Sequence, residues 1–145
     1  MRARTLLDSG AFGDALALLV NEQREHPSIE SAQLVERARE GVRVQVRQAL
    51  EQAAASENAG EFAEAFQQYR SARRLDPATP AIEQSIARVS TRMKADAADA
   101  MVRARQYDAL DRVPEAISWY ERASRNMLDD DPNRRIAKEI GRAHV

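Results

Sequence analysis

The chain has 145 residues, 43% of them apolar but with only three Phe, three Tyr and one Trp, and its 22 basic and 23 acidic residues leave a formal net charge of −1. That balance excludes an overall electrostatic drive toward nucleic acid or anionic lipid, and no run approaches the ~20 apolar residues of a spanning helix, so no membrane insertion is expected. The absence of cysteine excludes a disulfide framework and a thiolate site and leaves cytoplasm and periplasm equally open.

Glycine and proline divide the chain into predicted helices at 2–9, 13–26, 29–58, 61–75, 80–110, 114–127 and 132–143. The N-terminal segment starts with Arg2 and Arg4 but meets Asp8 and Gly10 before any apolar region of useful length, so it does not read as an export signal. Gly10 ends the first helix and Gly60 the third, each placed for a left-handed terminal residue. Ser28, behind Pro27, is an N-cap residue. The third helix is long and carries Gly41 between Ala38 and Val42, where a glycine costs about 1 kcal/mol relative to alanine and marks a place to bend or break. Pro80 behind Thr79 and Pro132 behind Asp131 fit the first helical turn, where the missing amide costs nothing. From Ile82 a stripe runs through Ile86, Val89, Met93, Ala97, Ala100, Ala104 and Tyr107 at steps of three and four, so it stays on one helix face. That stripe is either the inner face of a stack or, in part, an overhang that pairs with another chain as a coiled coil.

The elements repeat. Gly10-x-Phe12-x-x-Ala15-x-x-x-Leu19 recurs as Gly60-x-Phe62-x-x-Ala65-x-x-x-Tyr69-x-x-Ala72 and as Asp111-x-Val113-x-x-Ala116-x-x-x-Tyr120-x-x-Ala123. Ala15 to Ala65 is a step of 50 and Ala65 to Ala116 a step of 51. A fixed period of this size is the mark of a stacked repeat protein rather than of an enzyme built around one pocket. Short connections make sequential helices antiparallel neighbours. Ala53 and Ala65 are small where two helices cross closely, while Phe62, Tyr69 and Leu75 fill the space between successive hairpins.

Ala53, Gly60, Phe62, Ala65, Tyr69, Ala72, Leu75 and Pro77 stand at the spacing of a tetratricopeptide repeat, and the chain resembles that family over most of its length. The flanking copies are degenerate: Leu19 and Glu22 depart from the pattern in the first, and Asp111 and Val113 in the third. The family unit is close to 34 residues, so the longer period here implies lengthened helices and a non-standard groove. The resemblance implies an all-α fold, a right-handed superhelical stack of antiparallel helix hairpins (a TPR-like α-solenoid) of about seven helices, two of them long. One repeat domain is expected over 1–145, with units at about 1–45, 46–95 and 96–145, as a segment of a larger protein. Few residues precede Gly10, so the first hairpin is expected to leave an apolar face, either because the chain is a segment of a larger protein or because another chain covers that end.

In the family the first helix of each hairpin lines the concave face. The matching outward positions are Leu50, Ala54, Glu57 and Asn58 in the middle unit and Met101, Arg105 and Asp108 in the third, and these are the expected partner-binding residues. The Lys and Asn set with which some members clamp a peptide C-terminus is absent from them. The implied function is a non-enzymatic scaffold presenting a helical groove to a protein or peptide, in a bacterial assembly if the preference for Arg over Lys (Lys94 and Lys138 alone) reflects GC-rich coding. The alternatives are an oligomerisation or spacer element, self-associating through the N-terminal end or the long helices, and a regulatory appendage of a larger enzyme.

Other chemistry finds no support in the spacing. His26 and His144 have no partner at metal-ligand spacing. Gly10-x-x-Gly13 lacks the lysine of a phosphate loop, and Asp129-Asp130-Asp131 lacks the alternation of a calcium loop and reads as a helix cap. Arg73-Arg74, Arg103-x-Arg105 and Arg134-Arg135 sit among acids at ion-pair spacing. Trp119 reads as hairpin packing. No cofactor, metal or nucleic-acid partner is expected.

Overall fold

A computed structural model describes residues 2–143. Its secondary structure is helical throughout: α1 (Arg2–Asp8), α2 (Phe12–Glu25), α3 (Ile29–Asn58), α4 (Phe62–Leu75), α5 (Pro80–Ala109), α6 (Val113–Arg125) and α7 (Pro132–Ala143), with no strand among the described residues. Each helix packs chiefly on its neighbours in sequence. None is long and apolar enough to cross a membrane.

The three repeat corners share one backbone mechanism. Gly10, Gly60 and Asp111 are left-handed, with φ of 81°, 78° and 58°. At each, the next residue's amide reaches five residues back: Ala11 N to Leu6 O at 2.8 Å, Glu61 N to Ser56 O at 2.9 Å and Arg112 N to Tyr107 O at 2.9 Å. This is the Schellman closure, which satisfies the last carbonyls of the preceding helix and turns the chain sharply. Asp111 adopts it without being glycine, as aspartate tolerates better than most residues. Ser28 and Ser31 form a reciprocal capping box at the start of α3. Asp131 accepts from Asn133 N at 2.9 Å, the cap expected of the acidic run. Thr79 departs from expectation: its hydroxyl donates to Asp76 Oδ2 at 2.5 Å and caps no amide.

The core is three clusters. The first joins α1, α2 and the start of α3 through Leu7, Ala15, Leu19, Val35 and Ala38. In the second, Ala53 of α3, Ala65 and Tyr69 of α4, and Ile82, Val89 and Met93 of α5 meet. The third unites Ala97, Ala100 and Ala104 with Ala116, Tyr120 and Ala137. Ala15, Ala53, Ala65, Ala72, Ala100, Ala104, Ala116 and Ala123 have no exposed surface, which is what close crossing of helices through small side chains requires. Each long helix therefore serves two clusters, one with each half. Of the α5 stripe, Ile82 through Ala104 is buried against α4 and α6, and Val102 is the large apolar residue that α5 leaves exposed.

Gly41 does not break α3, which is one helix from Ile29 to Asn58. A side chain there would place its Cβ 2.3 Å from Cγ and Cδ1 of Phe12. The glycine is a seat for that ring. At the N-terminal end, Ala3 and Leu7 of α1 are buried and close the first cluster, in place of the open apolar face expected there. Leu18 and Ile29 are the large apolar residues exposed in this unit.

Candidate partner-binding groove

The geometry of α3 creates a groove. Residues of α2 cover its first third around Val35 and Ala38, and those of α4 its last third around Ala53, but α2 and α4 have 14 residues each against 30 in α3. Between them the middle of α3 lies open as the floor of a cavity of about 590 Å³. Val42, Val46, Leu50 and Ala54 form that floor, with Leu16 of α2 and Leu75 of α4 as its walls. The rim is charged and polarised: Arg39, Arg43 and Arg47 toward one end, Glu51 and Asp76 toward the other. Arg39 pairs with Glu36 at 2.9 Å and Arg43 with Glu40 at 2.8 Å, whereas Arg47 enters no ion pair among the described residues. The chemistry available is burial of apolar side chains and ion pairing at the rim.

Two further cavities lie along α5. One, of about 620 Å³, has Lys94, Ala97, Met101 and Arg105 on one side and Met127, Leu128 and Asp130 on the other. The second, of about 540 Å³, is bounded by Phe66, Arg70, Met93, Leu128 and Arg134.

The expected partner-binding residues separate into two groups. Leu50 and Ala54 line the first groove, and Met101 and Arg105 the second. Asn58 is exposed at the end of α3. Glu57 is committed within the chain: it accepts from the Tyr69 hydroxyl at 2.9 Å and from Arg88 Nε and Nη2 at 2.8 Å each. Arg88 holds the Glu57 carboxyl below its usual range against the opposing effect of burial, and burial, helped by Glu57, pushes the Tyr69 hydroxyl up. Asp108 is half-buried beside Tyr120, whose hydroxyl burial and the Asp108 charge both push up. Glu57 thus ties α3 to α4 and α5.

A similar clasp joins α3 to α1, where Arg37 reaches Asp8 at 3.3 Å. Arg122 holds Asp96 at 3.0 Å, and Asn126 donates to the same carboxylate at 2.8 Å. Of the arginines read as ion-pair formers, Arg73 pairs with Glu83, Arg103 with Asp99, Arg134 with Asp129 and Arg135 with Glu139, whereas Arg74 donates to Ser71 Oγ at 3.1 Å and Arg105 lines the second groove. Trp119 packs on the third cluster and carries Arg103 and Arg122 over its ring at 5.0 and 5.3 Å. His26 is exposed, and His144 lies outside the described residues. No group of three metal-ligating side chains occurs among the described residues.

The floor residues Val42 and Val46, and Leu128, which lines both cavities along α5, escape a reading of the repeat motif alone. The signal for the first two is present in the sequence: Val42, Val46 and Leu50 recur every four residues, more apolar surface than one crossing with α4 consumes. No protein-family model, curated protein or solved structure matches the chain.

Proposed function

We propose that the chain is a non-enzymatic interaction scaffold of tetratricopeptide type, a right-handed superhelical stack of antiparallel helix hairpins that offers a groove to a protein or peptide partner. Three corners of identical closure, three core clusters on the repeat period and alanines at every close crossing support the stack. Fusion of the second helix of one unit to the first helix of the next accounts for the lengthened period, because each 30-residue helix serves two clusters. The observation that carries the function is the open apolar floor of α3, with Leu50 and Ala54 at the outward positions the family uses for partners. Burial of the α5 stripe weighs against the spacer alternative, since it removes the surface a coiled coil would use.

A photocrosslinking residue at Arg47, on the groove rim, tests the proposal in cells that express the protein. Discrete adducts are expected from position 47 and none from Ser118, which is exposed on α6 away from the grooves. The same adducts from both positions, or from neither, would remove the scaffold reading.

A further inference from the structure

Leu128 is the one residue of the three clusters that leaves its own unit. It lies in the third repeat unit by sequence, yet its side chain packs on the core of the second. The repeat explains where it has gone. An offset of 51 carries Arg43, Val46, Leu50 and Ala54 of the first groove onto Lys94, Ala97, Met101 and Arg105 of the second, and Leu75 and Asp76 onto Asn126 and Met127. An offset of 50 carries Leu16, the far wall of the first groove, onto Phe66 of the third cavity. The second and third cavities are therefore the two parts of one repeat-equivalent groove, and Leu128, which lines both, divides them. At the corresponding place in the first groove stands Pro77, which is exposed and fills nothing.

The protein thus carries a template for the occupant of its own open groove. Leu128 enters as an aliphatic plug and is followed by Asp129, Asp130 and Asp131, of which Asp129 pairs with Arg134 and Asp130 lines the groove that holds Lys94. Lys94 is the counterpart of Arg43. The open groove has an aliphatic floor of Val42, Val46 and Leu50 where the filled one has Met93, Ala97 and Met101, and more positive charge at one end, with Arg39, Arg43 and Arg47 one turn apart on α3 and Arg47 outside any ion pair among the described residues.

From this correspondence we infer that the α2–α3–α4 groove binds an extended segment of a partner protein in which an aliphatic anchor, leucine or its like, is adjacent to a run of carboxylates. The anchor lies on Val42, Val46 and Leu50, and the carboxylates run toward Arg39, away from Glu51 and Asp76. The inference rests on the scaffold reading and names its ligand chemistry.

The probe is a fluorescent peptide of residues 126–133 of this chain, titrated into the intact protein and followed by anisotropy. Saturable one-site binding with Kd below about 1 mM is expected. The affinity should fall about tenfold or more on Leu128→Ser in the peptide, and again on Arg43→Glu with Arg47→Glu in the protein, whose circular dichroism and melting stay native because both arginines are exposed. Added salt should weaken binding. No saturation by about 1 mM, or binding indifferent to both sets of changes, overturns the inference. So does self-association that the arginine changes abolish, because the occupant is then a second copy. Crosslinks from position 47 that persist while the peptide fails would leave the scaffold standing and remove this ligand class. Peptide binding with no cellular crosslink would do the reverse.

Discussion

The two long helices have the same length and opposite middles. In α5, buried residues follow every three or four positions from Ile82 to Ala104, whereas in α3 none lies between Ala38 and Ala53. Both helices join two core clusters, so the difference is not in architecture but in what lies across the junction. Over α5, the chain leaving α6 carries Met127 and Leu128 back across the gap before α7 begins. Over α3, the chain leaving α4 goes through Asp76, Pro77 and Thr79 straight into α5 and covers nothing. At the junction of two repeat units, one or two residues of connection thus decide whether the middle of the long helix is buried or left as the floor of an open groove.

The largest test of that contrast is a pair of truncations at equivalent positions. Met93 and Val42 are related by the offset of 51, but Met93 is 3% exposed in the second cluster and Val42 is a half-buried groove residue. Met93→Ala should cost about 2–5 kcal/mol, the range for a large side chain removed from a packed core. Val42→Ala should cost less than about 1 kcal/mol, because the surrounding side chains already border open space. Urea denaturation of both variants measures the difference, and equal losses would mean that the middle of α3 is as well covered as that of α5.

Gly41 sharpens the comparison from the other side. Alanine in a helix interior is normally worth about 1 kcal/mol over glycine, yet here the added Cβ would lie 2.3 Å from the Phe12 ring. Overpacking should outweigh the gain and leave Gly41→Ala less stable by about 1–3 kcal/mol. In a Phe12→Ala background the ring is gone, and the same substitution should become neutral or stabilising. A double-mutant cycle by thermal melting reads this coupling directly; additive effects would mean that the ring does not rest on α3. The equivalent ring one unit later, Phe62, has Arg92 over it at 5.0 Å, so the glycine seat belongs to the first junction alone.

Local chemistry made much of this legible. The corners could be read from Gly10 and Gly60, and from the substitution of Asp111 for glycine at the same register, because a left-handed residue has few chemical solutions. Helix starts at Ser28, Pro80 and Pro132 follow from caps and first-turn prolines in the same local way. Gly41 was harder, since intrinsic propensity marks a weak point and only the non-local approach of Phe12 explains it. Leu50, Ala54, Met101 and Arg105 reach the grooves because periodicity sets the face of a helix. Glu57 turned inward because Tyr69 and Arg88 come from two other helices, a meeting that no single segment encodes. The groove itself depends on how far apart α2 and α4 land on α3, and that is a sum of packing choices rather than a motif.

Glu57 offers the smallest effect and the most selective one. Its carboxylate closes α3 against α4 and α5 through Tyr69 and Arg88, and Arg88 holds its pKa below the ordinary 4.5. A carboxyl with a depressed folded-state pKa contributes stability that is present above the unfolded value and is lost as the pH falls through the folded one. Arg88 is 53% exposed, so solvent screening keeps the contribution to about 0.5–1 kcal/mol. Glu57→Gln should therefore be less stable than the native chain by that amount near neutral pH, and the two should converge in acid, as the pH falls through the depressed folded-state pKa and the native carboxyl is protonated. Urea unfolding across that range checks it. A gap that stays constant into acid would assign the loss to packing of the amide rather than to the ion pair, and the clasp at the end of α3 would then owe its stability to the Tyr69 hydroxyl and not to Arg88.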